Sequence, residues 1–199
     1  MSDARDDRSI GADVVCTVLA LSGSLRATSI NSALLRAARR LAPPGVELTI
    51  FKGVGDLPLF NPDLEADLPA AVRALHAAVA QADALLIASP EYAHGVTGAI
   101  KNTLDWLVSF EPFVDKHVAV LNASPRAHHA DAALRETLKT MSAVIVEPAS
   151  VSIPLVGAKL DENGMVEDPL VSSAIRGCLA ALHTAVTQGS TGQGPMSPL

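Results

Sequence analysis

The feature of this sequence that most limits its fold is an apolar run that leads straight into a polar loop and an amphipathic helix. The run is Val14–Leu21, and residues 22–31 then read SGSLRATSIN. Apolar residues follow at positions 30, 34, 37, 38 and 41, which is the spacing of one helix face. This order predicts a buried strand, a turn rich in hydrogen-bond donors and a helix, the first unit of an α/β sheet.

The same alternation of strand and helix patterns continues along the chain. Five strands that alternate with helices imply an open parallel sheet with right-handed crossovers. Ligands of such sheets bind at the carboxyl ends of the strands, so the loops at 22–29, 89–96 and 122–129 should meet there. The predicted strands are 14–21, 46–51, 84–89, 117–122 and 143–147. The predicted helices are 29–41, 97–108, 130–140 and 169–186, and a further helix begins at Pro69. A long loop is predicted over 52–68.

Length and local composition predict a single domain with a polar extension at each end. The 199 residues are enough for one domain with a buried core. Residues 1–12 are polar and are expected to form a flexible arm, and residues 13–187 hold the alternating pattern. Residues 188–199 contain three glycines and two prolines, and are expected to form a flexible tail.

Charge and hydropathy narrow the range of partners. The formal net charge is −6, whereas nucleic-acid binding favours basic patches, so no nucleic-acid partner is expected. No apolar run approaches the roughly 20 residues of a membrane-spanning helix. The polar start of the chain lacks the apolar segment of a signal peptide. We therefore expect no membrane partner and a cytoplasmic location.

Residues 22–31 have the chemistry of an anion site. The N–H groups and the dipole at a helix N-terminus both favour a phosphate, and Gly23 allows the backbone to come close. The loop matches neither the G-x-G-x-x-G nor the G-x-x-x-x-G-K-[ST] pattern, so dinucleotide-fold and P-loop functions lack motif support. The side chains that can donate to phosphate oxygens are Ser24, Arg26, Thr28, Ser29 and Asn31.

The loop after the third predicted strand, residues 89–98, reads SPEYAHGVTG. It contains Tyr92, the only tyrosine of the chain, and two glycines that leave backbone N–H groups accessible. Such a loop suits a flat heteroaromatic ring, because backbone donors can meet ring oxygens and nitrogens while a side chain covers one face. An ordinary Pro-Gly turn with an exposed tyrosine explains the same residues, so both interpretations stay open.

The loop after the fourth predicted strand, residues 122–129, reads NASPRAHH. Its paired histidines, His128 and His129, raise the question of a metal. Adjacent side chains of a helix do not face one direction, and no cysteine or patterned carboxylate accompanies them. We therefore expect no metal site here and interpret both histidines as solvated loop residues.

Two of these segments together resemble the NADPH-dependent FMN reductase family of flavodoxin-like proteins. Residues 22–31 resemble that family's phosphate loop, Gly-Ser-x-Arg-x-x-Ser-x-Asn. Residues 89–92 with 98–106 resemble its segment Pro-Glu-Tyr-Asn-x-x-x-Pro-Gly-x-Leu-Lys-Asn-x-Ile-Asp-Trp. The resemblance covers residues 14–150 and implies a flavodoxin-like sheet of five parallel strands in the order 2-1-3-4-5, with helices on both faces.

The resemblance implies a reductase that transfers hydride from NADPH or NADH through bound FMN to a small-molecule acceptor, such as a quinone, an azo compound, an oxyanion or free flavin. It implies no catalytic side chain and no metal. Helix 97–108, with Lys101, Asp105 and Trp106, is similar to the segment that the family uses for subunit contact, which implies a homodimer or homotetramer. The cofactor-binding residues implied by position are Ser24, Arg26, Ser29 and Asn31 at the phosphate, Pro90, Glu91 and Tyr92 along the isoalloxazine ring, Ser124 on its other side, and Ile30, Ala93 and Gly95 in the same loops.

The sequence departs from the family pattern around the ring. Ala93 replaces an asparagine, Gly95 a serine and Thr97 a proline. The third loop lacks the usual Gly-Gly pair and carries Arg126, His128 and His129 instead. These departures motivate two alternatives, an FMN-binding electron carrier without productive NAD(P)H turnover and a fold that has lost its flavin. They also suggest that Arg126 or His94 meets the phosphates of the nicotinamide dinucleotide.

Overall fold

The computed structural model describes residues 16–191 and contains one sheet of five parallel strands. The strand order is β2-β1-β3-β4-β5, which confirms the predicted flavodoxin-like topology. A parallel neighbour requires a crossover connection, and here helices supply these crossovers. The strands are β1 (Cys16–Ser22), β2 (Val46–Ile50), β3 (Ala84–Ala88), β4 (His117–Leu121) and β5 (Val144–Ile145).

Helices cover both faces of this sheet, and side chains of β1 alternate between the two layers. Val18 and Ala20 pack in one hydrophobic cluster with Leu34 of α1 and Leu179 of α6, whereas Leu19 packs in the other cluster with α2 and α3. This alternation is the period of two that a strand imposes on its side chains. The helices are α1 (Ile30–Arg40), α2 (Ala70–Gln81), α3 (Gly98–Asp105), α4 (His128–Thr140), α5 (Glu162–Glu167) and α6 (Pro169–Thr191).

Two predicted elements are shorter in the structure. The fifth strand was expected over 143–147, but β5 has two residues. Val146 N–H still donates to Val118 O at 2.9 Å, and a 3-10 turn over Glu147–Ala149 then replaces the strand. The helix expected over 97–108 begins at Gly98, since Thr97 is its N-cap, and ends at Asp105. After it the N–H of Leu107 donates to the carbonyl of Leu104 at 2.9 Å, a tighter turn than an α-helix makes.

The segment between β5 and the last helix contains an element that the sequence patterns did not predict. Helix α5 has six residues, and the side chain of Asp161 caps it by accepting from the N–H of Gly164 at 2.8 Å. Glu162 forms an ion pair with Arg36 of α1 at 2.7 Å, and Met165 is buried. Tertiary contacts with α1 therefore stabilise a helix that is too short to be stable by propensity alone.

The ends of the predicted domain fall only in part within the described residues. The arm at 1–12 and residues 192–199 lie outside them. Helix α6 continues to Thr191, so residues 188–191, which were assigned to the tail, are helical. By length and composition α6 resembles a membrane-spanning helix. Its residues Ile175 and Leu182 are buried in the cluster on one face of the sheet, so in this fold α6 serves as a core helix.

Candidate cofactor site

Three loops meet at the carboxyl edge of the sheet, as the predicted topology requires. Strands β1, β3 and β4 end at the same level, because Ser22 pairs with Ala88, and Ala88 pairs with Leu121. The loops after β1 and β3 are joined by hydrogen bonds, in which Gly23 N–H donates to Ala88 O at 2.9 Å and the Thr97 hydroxyl donates to Gly23 O at 2.7 Å. The first loop is therefore fixed to the second by one main-chain bond and one bond from a side-chain hydroxyl.

Gly23 is required by the second loop itself. A Cβ atom at this position would lie 2.1 Å from the Ser89 Oγ and 2.5 Å from the Ser89 Cβ. Both distances are far below van der Waals contact. The close approach that the sequence predicted for this glycine is thus an approach to the neighbouring loop.

The start of α1 presents free donors to the first loop. Ser29 is the N-cap, and its Oγ accepts from Ser32 N–H at 3.3 Å, so its own O–H remains available to donate. The N–H groups of Ile30 and Asn31 have no hydrogen-bond partner within residues 16–191. The Asn31 side chain is buried, with 4% exposure, and its Oδ1 has no partner either. Buried polar groups are nearly always satisfied, so this cluster fits a polar ligand.

A cleft of about 260 Å³ continues from these donors between the second and third loops. It brings together five of the predicted cofactor-binding residues, one set from each loop. Its wall also includes Arg126, a residue outside that prediction. The lining residues include Ile30 and Asn31 from the first loop, Pro90 and Glu91 from the second, and Ser124 and Arg126 from the third.

Two other predicted phosphate residues line a different cleft. Ser24 and Arg26 border a cleft of about 590 Å³ on the side of the first loop that faces the end of β2, where Arg39 and Lys52 also lie. The sequence predicted one cluster around the phosphate, whereas the structure divides the loop between two clefts. The direction of each side chain within an irregular loop decides which cleft it lines, and a pattern of residue types does not predict that direction.

Residues Tyr92 to Gly95 form a tight turn at the edge of the first cleft. Tyr92 N–H donates to Gly95 O at 3.2 Å, and Gly95 N–H donates to Tyr92 O at 3.0 Å. Ala93 and His94 between them have φ angles of 49° and 58°. Asparagine, which the family pattern has at position 93, tolerates positive φ better than alanine does. The predicted site residues Tyr92, Ala93 and Gly95 are not among the residues that line the cleft, and the turn that they form directly follows the lining residue Glu91.

Glu91 ties the second loop to the third. Its Oε2 accepts from Ala130 N–H at 2.8 Å at the start of α4, and its Oε1 lies 3.2 Å from His94 Nδ1. The bond from Ala130 is the main cause that lowers the pKa of Glu91 below its usual value, and His94 and His129 lower it further. Glu91 is therefore an ionised anchor between the loops at neutral pH.

A cluster of three histidines joins the second loop to the start of α4. The ring centroids of His94 and His129 are 4.6 Å apart, and those of His128 and His129 are 4.1 Å apart. The sequence interpretation of His128 and His129 as solvated loop residues is right about their exposure and wrong about the element, because α4 begins at His128 and not at Ala130 as predicted. Their contact with His94 was not predicted, because it depends on how the second loop approaches α4. In the described chain, no group of His, Cys, Asp and Glu side chains has the arrangement of a metal site.

Comparison with known proteins relates this geometry to a family. Residues 16–157 match the family model described as NADPH-dependent FMN reductase. An NAD(P)H-dependent FMN reductase of Pseudomonas aeruginosa is 35% identical over 172 residues, which cover 83% of this chain and 92% of that protein. A quinone reductase of Pseudomonas putida is 32% identical over 163 residues, which cover 77% and 86% of the two proteins. The structure of FerB, a flavoenzyme NAD(P)H:(acceptor) oxidoreductase of Paracoccus denitrificans, aligns with a TM-score of 0.72 and 28% identity, covering 87% of this chain and 98% of FerB.

Proposed function

The chain belongs to the NADPH-dependent FMN reductase family, and from this membership we propose which residues hold the flavin and which molecules accept the electrons. The protein is an NAD(P)H-dependent flavin oxidoreductase that uses FMN. When bound, FMN supplies the hydride-accepting chemistry of such an enzyme, and the protein supplies binding and orientation.

The proposed phosphate site is the N-terminus of α1. The free N–H groups of Ile30 and Asn31, the Ser29 hydroxyl and the Asn31 Nδ2 group are the proposed donors, and the helix dipole adds to their attraction for an anion. The two free main-chain N–H groups are the observation that carries this proposal, since the unpartnered Asn31 Oδ1 is an acceptor and would take a bond from a ligand N–H or O–H instead. Arg26 lies in the same loop without an acidic partner among the described residues, and Ser24 accompanies it. These two supply further charge and a hydroxyl from the other side of the loop.

The proposed ring site is the cleft between the second and third loops. Pro90 and Ser124 form its walls, and the turn with Tyr92, Ala93 and Gly95 continues the second wall outward. At about 260 Å³ the cleft is smaller than most small-molecule sites, which span roughly 300–1,000 Å³. A flavin ring held here would thus keep one part open to solvent, where a reductant and an acceptor can reach it in turn.

No side-chain acid or base is proposed for the reaction. Glu91 is the only carboxylate among the residues that line the cleft, and both of its oxygens are engaged by Ala130 and His94. Its role is to hold the two loops in position. The proposed acceptors are quinones, because the P. putida relative is named a quinone reductase; azo compounds, oxyanions and free flavin remain candidates from the sequence.

The substitution Arg26→Ala tests the phosphate site. A charge-assisted hydrogen bond contributes roughly 1.5–3 kcal/mol, so the FMN affinity should fall about ten- to a hundredfold. Quenching of flavin fluorescence during titration of the flavin-free protein measures this dissociation constant. Lys139→Ala, at the far end of α4, is the charge-matched control and should leave it unchanged. An unaltered affinity in the Arg26 variant would remove Arg26 from the site.

The proposed assembly is a homodimer or homotetramer, located in the cytoplasm where NAD(P)H is available. Val108, just after α3, is 62% exposed beside a cleft of about 300 Å³ that Lys101 and Asp105 also line. Trp106 does not join this surface: it is 2% exposed, and its Nε1–H donates to Pro58 O at 2.8 Å. Sedimentation analysis tests the assembly, and a single monomeric species would reject it.

A further inference from the structure

Arg126 is a cation in the cleft wall that no carboxylate neutralises. It makes no ion pair with a described residue, and it is exposed. Its main chain is held in place, since Arg126 N–H donates to Ser124 Oγ at 3.3 Å and Arg126 O lies 3.1 Å from His128 Nδ1. The loop therefore fixes the base of this side chain and leaves its guanidinium free at the cleft.

The surroundings of Arg126 do not supply a counter-charge. Glu91, the carboxylate of the cleft, is already committed to Ala130 N–H and to His94. The other residues that line the cleft carry no charge. Outside the lining, His128 and His129 follow Arg126 along the chain, and His129 contacts His94, whose side chain is 78% exposed. Among the lining residues Arg126 is therefore the one cation, on a chain whose formal net charge is −6.

The chemistry of this wall selects an acidic ligand. A guanidinium binds carboxylate, sulfonate and phosphate groups through two parallel hydrogen bonds. Exposed imidazoles add N–H donors and flat faces on which an aromatic ring can rest. The position is distinctive for this chain, because the family pattern has a Gly-Gly pair in this loop and glycines offer no such charge.

We infer that Arg126, flanked by the histidine cluster, recognises an acidic group on the molecule that approaches the flavin. Two sources carry this chemistry: an aromatic acceptor with a sulfonate, carboxylate or ionised hydroxyl, and the diphosphate of NAD(P)H. The inference rests on the proposed function, because it takes the cleft as the place where the ring is held.

The test compares a charged and a neutral acceptor of the same shape. We would measure kcat/KM of the FMN-loaded protein for 1,4-naphthoquinone-2-sulfonate, for 1,4-naphthoquinone and for NADPH, in the wild type and in Arg126→Gln. Titration of the oxidised protein with naphthalene-2-sulfonate and with NADP+, followed by the flavin absorbance, gives dissociation constants without turnover. Lys139→Gln removes the same charge at the far end of α4 and is the matched control.

A loss of the charge-assisted hydrogen bond corresponds to about a ten- to hundredfold change. If the acceptor is the source, Arg126→Gln lowers the sulfonate-to-neutral ratio of kcat/KM by this factor and weakens naphthalene-2-sulfonate binding equally. If the reductant is the source, the ratio stays constant, and kcat/KM for NADPH and the affinity for NADP+ fall instead. Both results support an anion-recognition role, and unchanged values in both arms overturn it.

Two further measurements keep the test decisive. If Arg126→Gln fails to fold, the ionic-strength dependence of the wild type replaces it, measured from roughly 0.02 to 0.5 M salt, where screening becomes strong. Over this range kcat/KM should fall for the sulfonate if the acceptor is the source, or for NADPH if the reductant is the source, and should stay constant for the neutral quinone. Values of kcat/KM that stay constant across this range for both the sulfonate and NADPH overturn the inference. A wild type that binds FMN and reduces the neutral quinone but shows neither salt dependence refutes this inference alone, whereas one that binds no FMN refutes the proposed site.

Discussion

Replacement of Gly23 by alanine should destabilise the protein through a single steric contact. The added methyl group would lie 2.1 Å from the Ser89 Oγ. The φ angle of Gly23 is not positive, so alanine meets no backbone penalty there. Because one side of the contact includes the Ser89 backbone, with its Cα at 3.0 Å, the two loops must move apart. Overpacking of this kind costs about 1–3 kcal/mol of unfolding free energy.

Urea unfolding of the flavin-free protein, followed by circular dichroism, measures this cost. A loss of about 2 kcal/mol lowers the midpoint by about 1 M for a typical urea dependence. The matched control is Gly177→Ala on the exposed side of α6, where nothing lies within 4 Å of the new Cβ. There alanine should raise the unfolding free energy by about 0.5–1 kcal/mol, because it favours the helix.

A double-mutant cycle tests whether Ser89 is the cause. Ser89→Gly removes both the Oγ and the Cβ from the contact, so the pair Gly23→Ala and Ser89→Gly should be more stable than the sum of the single changes predicts. Flavin affinity should follow the same order, since the displaced loop is the proposed phosphate site. Equal unfolding midpoints for the wild type and Gly23→Ala would refute the reasoning.

Two other substitutions address the loop anchor and the core. Glu91→Gln should destabilise the protein at neutral pH. The pKa of Glu91 in the folded protein lies below its ordinary value of 4.5, so the ionised carboxylate stabilises the fold fully above pH 4.5. This stabilisation is lost as the pH falls through the lowered pKa. The difference between the wild type and Glu91→Gln in urea should therefore shrink below pH 4.5, and a difference that grows instead would contradict the anchor. Trp106→Phe removes the bond from Nε1 to Pro58 O, although this oxygen still accepts from Asn102 Nδ2 at 2.9 Å. We therefore expect the unfolding free energy, measured by thermal unfolding, to fall by about 1–3 kcal/mol. An unchanged melting temperature would show that Trp106 is not part of the core.

The elements that sequence reasoning predicted well are those with continuous apolar patterns. Strand β3 is an uninterrupted apolar run with every residue buried, so its position and its central place in the sheet were both readable. Strand β5 was overestimated because a 3-10 turn over Glu147–Ala149 follows its last bond to β4, from Val146 N–H to Val118 O. Helix α5 was missed because its segment, with Gly164 inside it, has the composition of a turn, and its support comes from Arg36 on another helix.

The candidate site was predictable at the level of loops and not of side chains. The topology places the carboxyl ends of adjacent strands together, and this was enough to expect the cleft between Asn31, Pro90 and Ser124. The separation of Arg26 from Asn31 and the contact of His94 with His129 depend on local backbone angles and on how two loops approach each other. A pattern of residue types contains neither quantity.

The bond from Ala130 N–H to Glu91 joins the second loop to the start of α4 without the help of a ligand. A ligand that enters the cleft therefore meets walls that are already ordered. Ordering a flexible backbone costs about 1–2 kcal/mol per residue, and little of this cost then falls on binding. The same bond protects the Ala130 amide, whose hydrogen-exchange rate reports how often the two loops separate. A slow exchange rate of this amide would show that the two walls stay in place before any ligand binds.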